Sequence, residues 1–268
     1  MRFAKTYVVV FLCLVLAIPV LAQQATTQQT APKDTAALAV AQWAIAALGG
    51  GAALNTSDSQ VLGTLSLQSP NGMLPTPVVY MTKGTRQIRV ELQKPSGTTV
   101  RIVSNGDGVI VRPGGAVQHL LMNNTIAERV SHIPALSLLA ENADPMVKID
   151  SLAYSTVAGS ATKDVVLSRI PNMSSPDAPV YEQMMRHVFH IDAQSGLLLK
   201  MDYANCAEND PSACSKVEVL FMDYRNVSGI MVPFHQQTYM DDHLTSDLVL
   251  SSVKFNVGLS DSLFAIPQ

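Results

Sequence analysis

Apolar residues recur along this chain first in an unbroken run, then with a helical period, then with a period of two, and these changes lay out its organisation. Residues 7–20 are almost continuously apolar behind Arg2 and Lys5, and Val20-Leu21-Ala22 puts small or aliphatic groups where a signal peptidase reads. The run is too short for a stable membrane span and no later span replaces it, so residues 1–22 are expected to be a secretory signal peptide cleaved after Ala22. Residues 23–33 (QQATTQQTAPK) cannot bury a core and are expected to form a flexible tether. Asp34-Thr35 can cap the helix that follows. Leu38, Ala41, Ile45 and Leu48 form one stripe of it, and Gly49-Gly50-Gly51 ends it.

From Val61 the period becomes two. Val61, Gly63, Leu65 and Leu67 alternate with smaller or polar residues, and Ile88, Val90 and Leu92 alternate with Arg89, Glu91 and Gln93. Strands are expected over 98–104 and 109–112, joined by the turn sequence Asn105-Gly106-Asp107-Gly108. The segment 128–142 has helical spacing, with Pro134 near its start or bending it. Strands are expected again over 152–157, 163–170, 181–192, 197–203, 217–224, 230–239 and 247–255, with turns at 193–196 and 226–229. Successive hairpins of this kind predict an antiparallel meander in a single domain over 34–268.

Composition and charge narrow what such a domain can do. Charged residues are 15% of the chain, well below the roughly 25% of an average domain, so Ser, Thr, Asn and Gln must cover much of the surface. Loss of Arg2 and Lys5 moves the net charge from −3 to −5, and no Lys/Arg cluster remains to attract nucleic acid or an anionic membrane. After cleavage only Cys206 and Cys214 are left, eight positions apart in a polar stretch, and in an oxidising compartment they are expected to form a disulfide across a hairpin loop.

Candidate chemistry is sparse. His187 and His190 sit three apart on a strand, hence on opposite faces, and cannot share a metal. Asp241-Asp242-His243 falls where a polar turn is expected. No Gly-x-Ser-x-Gly elbow, His-Glu-x-x-His pair or Cys-x-x-Cys occurs, so no catalytic residue, metal or cofactor is predicted. On strand 197–203 the residues Leu197, Leu199, Met201 and Tyr203 share a face, and Val217, Val219 and Phe221 do so on the next. Leu198, Leu220 and Met222, on the opposite faces, are apolar too. Met184, Met185, Met201, Met222, Met231 and Met240 fill either an irregular core or a wall that fits variable apolar guests.

Several short segments together resemble the periplasmic lipoprotein-carrier superfamily, the LolA, LolB and RseB-like proteins. They are Arg89-Val90-Glu91, Pro95, Ile102-Val103-Ser104-Asn105-Gly106, Gly196-Leu197 to Met201-Asp202-Tyr203, the run 223–233 (DYRNVSGIMVP) and the run 261–267 (DSLFAIP). The resemblance implies a mainly β (α+β) fold, in which a curved antiparallel sheet forms an unclosed barrel with helices covering its concave face. It also implies binding of an apolar, acyl-chain-like ligand or a lipoprotein, with Trp43, Ile88, Val90, Leu92, Val100, Ile102, Leu199, Met201 and Phe221 lining the hollow. The helix bearing Trp43 is then either a lid or a permanent part of the core. Two functional readings follow: an exported, periplasmic binding protein or carrier, and an envelope sensor that contacts another envelope protein without moving cargo.

Overall fold

The computed structural model describes residues 31–120, 125, 133–151, 154–169, 182–207 and 210–267. The expected signal peptide, positions 23–30 of the expected tether and positions 128–132 of the expected second helix lie outside them. Helix α1 spans Thr35–Ala47, α2 spans Gly50–Leu54 and α3 spans Pro134–Ala143. Among the described residues, six strands precede α3: β1 Asp58–Ser69, β2 Gly72–Lys83, β3 Gln87–Lys94, β4 Gly97–Ser104, β5 Asp107–Val111 and β6 Val117–His119. Eight follow it: β7 Val147–Ser151, β8 Ser155–Val157, β9 Ser160–Arg169, β10 Arg186–Asp192, β11 Leu198–Ala207, β12 Asp210–Val227, β13 Ile230–Met240 and β14 His243–Phe255.

The strands make one antiparallel sheet in the order β6-β5-β4-β3-β2-β1-β14-β13-β12-β11-β10-β9-β7, with β8 on β9. It is two meanders fused where the first strand meets the last, and its ends do not meet, so it is curved but unclosed. The fusion is irregular. A bulge falls between Leu62 and Gly63, and a side chain on Gly63 would meet the Val249 carbonyl oxygen at 2.6 Å, so the close approach of β14 needs a glycine there. The expected turn between β4 and β5 forms with Asn105 at φ 54° and Gly106 at φ 105°, the pair of positive values that a tight hairpin requires. Asp241 and Asp242, at 48° and 65°, make the polar turn expected between β13 and β14.

Strand β2 has no counterpart in the sequence reading, and it contains Pro75 and Pro77. They are tolerated because β2 pairs with β1 over its whole length but with β3 only from Val78 onward. Both prolines therefore sit where β2 has one neighbour, and no ladder to β3 is interrupted. Residues 182–184 form a helical turn where the expected strand 181–192 began, and β10 starts at Arg186.

The core lies between the inner, concave face of the sheet and the three helices. Val61, Val78, Tyr80, Val90, Phe189, Met201, Phe221, Val232 and Leu248 contribute from the sheet, and Ala37, Ala41, Ala44, Ile45 and Leu48 from α1. Asp34 caps α1 by accepting a hydrogen bond from the Ala37 amide at 2.8 Å. Beyond each end of the helix a backbone hydrogen bond joins it to the sheet: the Asp34 amide donates to the Ile149 carbonyl, and the Met231 amide donates to the Leu48 carbonyl. This pinning favours a permanent core helix over a lid. The last three tether positions are docked as well. Ala31 donates to the Pro145 carbonyl, Ile149 donates to the Pro32 carbonyl, and Lys33 bridges to Ile149 beside β7.

On the outer face, the 3₁₀ turn Asp261–Phe264 lies over β3 and β4 with Phe264 buried. The segment leading to it is stitched down by Asp58, whose carboxylate accepts the amides of Val257, Gly258 and Leu259 at 2.7, 3.0 and 3.0 Å. Cys206 and Cys214 face each other across β11 and β12 and are joined by a disulfide, as expected.

Candidate functional site

At one end of the inner face the described residues enclose a cavity of about 240 Å³. Three elements wall it. The sheet supplies Thr82, Ile88 and the β2–β3 turn at Gly84-Thr85; α2 supplies Ala53 and Leu54; α3 supplies Leu136, Leu139, Ala140 and Ala143. Those four α3 positions are spaced i, i+3, i+4 and i+7, a single stripe. The neighbouring positions Ala135 and Leu138 are fully buried in the core. Pro134 starts α3 in its first turn, where its missing N–H costs nothing. Thr56, Ser57, Asp58 and Ser137 complete the lining with polar groups. Leu54, 74% exposed, stands at the mouth.

The residues expected to line a hollow do not stay together. Ile88 lines the cavity. Val90, Leu92, Met201 and Phe221 lie on the same inner face but pack into or against the core instead. Val100 and Ile102 are corrections. The β3–β4 ladder pairs Ile88 with Val103, Val90 with Arg101 and Leu92 with Thr99, and opposite residues share a face, so Val100 and Ile102 point outward. Ile102 pairs with Arg89, whose guanidinium donates to the Leu263 carbonyl in the C-terminal 3₁₀ turn.

Leu199 is a correction too. A bulge opposite His190 and Ile191 shifts the register, so Leu198 faces Ile191 and takes the buried position, 1% exposed, while Leu199 is half-buried. Trp43 lies against the turn at Gly196, with the Lys163 ammonium 4.7 Å from its ring centre, and does not line the cavity. The cavity-lining residues of α2 and α3 were absent from the expectation. The spacing of Leu136, Leu139, Ala140 and Ala143 was a signal for one of these walls.

The two histidines lie on opposite faces, as their spacing implied, and both are buried. His187 is on the inner face, edge-on to Phe189 and Tyr203, with Glu141 of α3 4.0 Å away. Burial lowers its pKa from 6.5 to about 4, so the ring is neutral near pH 7. His190 is on the outer face with a carboxylate at each ring nitrogen, Asp164 at 3.0 Å and Asp202 at 3.1 Å. Asp202 also meets Lys200, and Lys200 continues to Glu218. Burial raises the pKa of Asp202, but the hydrogen bonds from His190 and Lys200 outweigh it and hold the carboxyl below its ordinary range. With both ring nitrogens committed, His190 ties three strands together and has no nitrogen left for a substrate. Among the described residues no group of three or more His, Cys, Asp or Glu side chains is placed to hold a metal ion, and no helix is long and apolar enough to cross a membrane.

No protein-family model matches this chain, and no curated protein matches it. Solved structures do. An outer membrane lipoprotein-sorting protein domain assigned in Vibrio parahaemolyticus is 12% identical, with 85% of this chain and 95% of that one covered at a TM-score of 0.57. A LolA superfamily protein from Nitrosomonas europaea is 12% identical over 86% and 97% of the two chains, also at 0.57. A DUF1329 family protein from Desulfovibrio piger is 14% identical over 85% and 96%, again at 0.57. The unclosed sheet, the helices on its inner face and these superpositions together give the chain the fold of the LolA-like superfamily.

Proposed function

We propose that this protein is an exported, non-enzymatic binding protein of the cell envelope that holds an apolar, acyl-chain-like ligand in its inner cavity. The observation that carries this reading is the cavity, walled by the α3 stripe and Ile88 and opening at Leu54. A leucine that exposed beside an apolar recess gains from being covered, and a guest chain covers both at once. Export is supported by the apolar run 7–20 and by the Cys206–Cys214 disulfide, which persists in oxidising compartments. The pinning of α1 at both ends favours a body of fixed shape, which also suits an envelope sensor that contacts another protein without moving cargo.

Native mass spectrometry of the gently purified mature chain tests the binding reading. A binding protein comes out with a lipid-like mass that organic extraction removes. A bare polypeptide mass, with no apolar compound taken up afterwards, would favour the sensor.

A further inference from the structure

We infer that the ligand is a single-chain amphiphile with roughly eight carbons inside the cavity and an uncharged hydroxyl headgroup, of the monoacylglycerol or fatty-alcohol class; this rests on the reading that the cavity takes an apolar guest. Size is the first argument. Pockets that hold drug-sized molecules run from roughly 300 to 1,000 Å³, and this one is about 240 Å³. At about 30 Å³ for each water-sized group it takes roughly eight methylenes in file. Three acyl chains side by side do not fit.

Charge is the second argument. Among the described residues that line the cavity there is no lysine, arginine or histidine, and the one ionisable group is Asp58. Its carboxylate is turned to the outer face, where it accepts the Val257, Gly258 and Leu259 amides, so no charged side chain of the described lining points into the cavity. Lys83, beside the Gly84-Thr85 turn, is committed to the Leu259 carbonyl and to Asp261 at 2.9 and 2.6 Å. A carboxylate or phosphate drawn into this lining would lose water without gaining a cation. A hydroxyl headgroup needs no cation, and the polar residues of the lining, Thr56, Ser57, Thr82, Thr85 and Ser137, are hydroxyl-bearing, a chemistry that can both donate and accept.

Titration calorimetry with monooctanoylglycerol, octanoate and a triacylated lipopeptide, each below its aggregation threshold at neutral pH, tests this. Monooctanoylglycerol should bind saturably and about tenfold more tightly than octanoate, and the lipopeptide should not displace it. Lengthening the monoacylglycerol chain should improve affinity about fourfold per methylene up to roughly eight carbons and then stop. Thr85→Lys, at an exposed lining position, should strengthen octanoate binding several-fold and so narrow or reverse the preference for the neutral ligand. Octanoate binding as tightly as the neutral ligand in the wild type, or displacement by the lipopeptide at a lower concentration, would overturn the inference while leaving an apolar-binding cavity in place. Failure of all three ligands to bind would overturn the cavity reading itself, and this inference with it.

Discussion

One end of the inner face is filled by core side chains and the other carries a cavity. Toward β7, β9 and β13, α1 meets the core through Ala37, Ala41 and Ala44, which are 0–1% exposed. Short side chains let the helix backbone come close, and Phe189, Met201 and Phe221 take up the remaining volume. Toward β1–β3, α3 puts Leu136 and Leu139 beside Ala140 and Ala143, and the small residues leave a gap that no sheet side chain fills. What fills each end differs: large sheet side chains under α1, Thr82 and Ile88 of the strands under the α3 stripe. A methionine at position 201 is therefore core filler, whatever its suitability as a flexible wall.

The sharpest way to break this comparison is to remove volume at the filled end. Phe221→Ala should cost about 3–5 kcal/mol in chemical denaturation and leave apolar binding intact; a cost below about 1 kcal/mol would mean that this end is loosely packed. Leu198→Ala should cost about 2–5 kcal/mol and Leu199→Ala far less. The reverse order would move the bulge out of β11.

Acid separates the ends next. Because burial holds the His187 pKa at about 4, the unfolded chain takes up a proton that the folded one refuses. The stability from His187 is complete above about pH 6.5 and is lost as pH falls toward 4, about 3 kcal/mol in all. Between pH 7 and 4 wild type should therefore lose about 3 kcal/mol more stability than His187→Phe in urea unfolding, and parallel profiles would place the ring in contact with water. Smallest is the disulfide. Replacing Cys206 and Cys214 with serine should cost about 2–3 kcal/mol for so short a loop, and labelling of the unreduced, unfolded protein should find no free thiol at either position.

Much of the fold was legible because hairpins announce themselves locally. Asn105-Gly106 and Asp241-Asp242 can hold positive φ, and the alternating strands on either side of such turns follow from them. β2 carries Pro75 and Pro77, whose tolerance depends on where the pairing with β3 ends. α2 was hidden inside Gly50–Leu54, too short and glycine-rich to show a period.

The site was harder to read for two reasons of register. The two-residue connection between β3 and β4 pairs Lys94 with Gly97, so even-numbered residues of one strand share a face with odd-numbered residues of the other. Choosing Ile88, Val90 and Leu92 together with Val100 and Ile102 therefore mixed the faces. At Leu199 a bulge broke the alternation that periodicity assumes. The cavity itself needs α3 placed over Ile88 across some fifty residues of chain, which local pattern does not encode.

The central claim, that the gap beneath α3 and not the packed end receives the guest, is tested most directly by filling it. Ala140→Phe places a ring in the cavity from the α3 stripe and should leave stability within about 1 kcal/mol of wild type, because the new volume enters existing space. Titration of a neutral medium-chain monoacylglycerol into this variant should show no saturable binding, while Phe221→Ala binds as wild type does. Undiminished binding by a folded Ala140→Phe protein would contradict the claim.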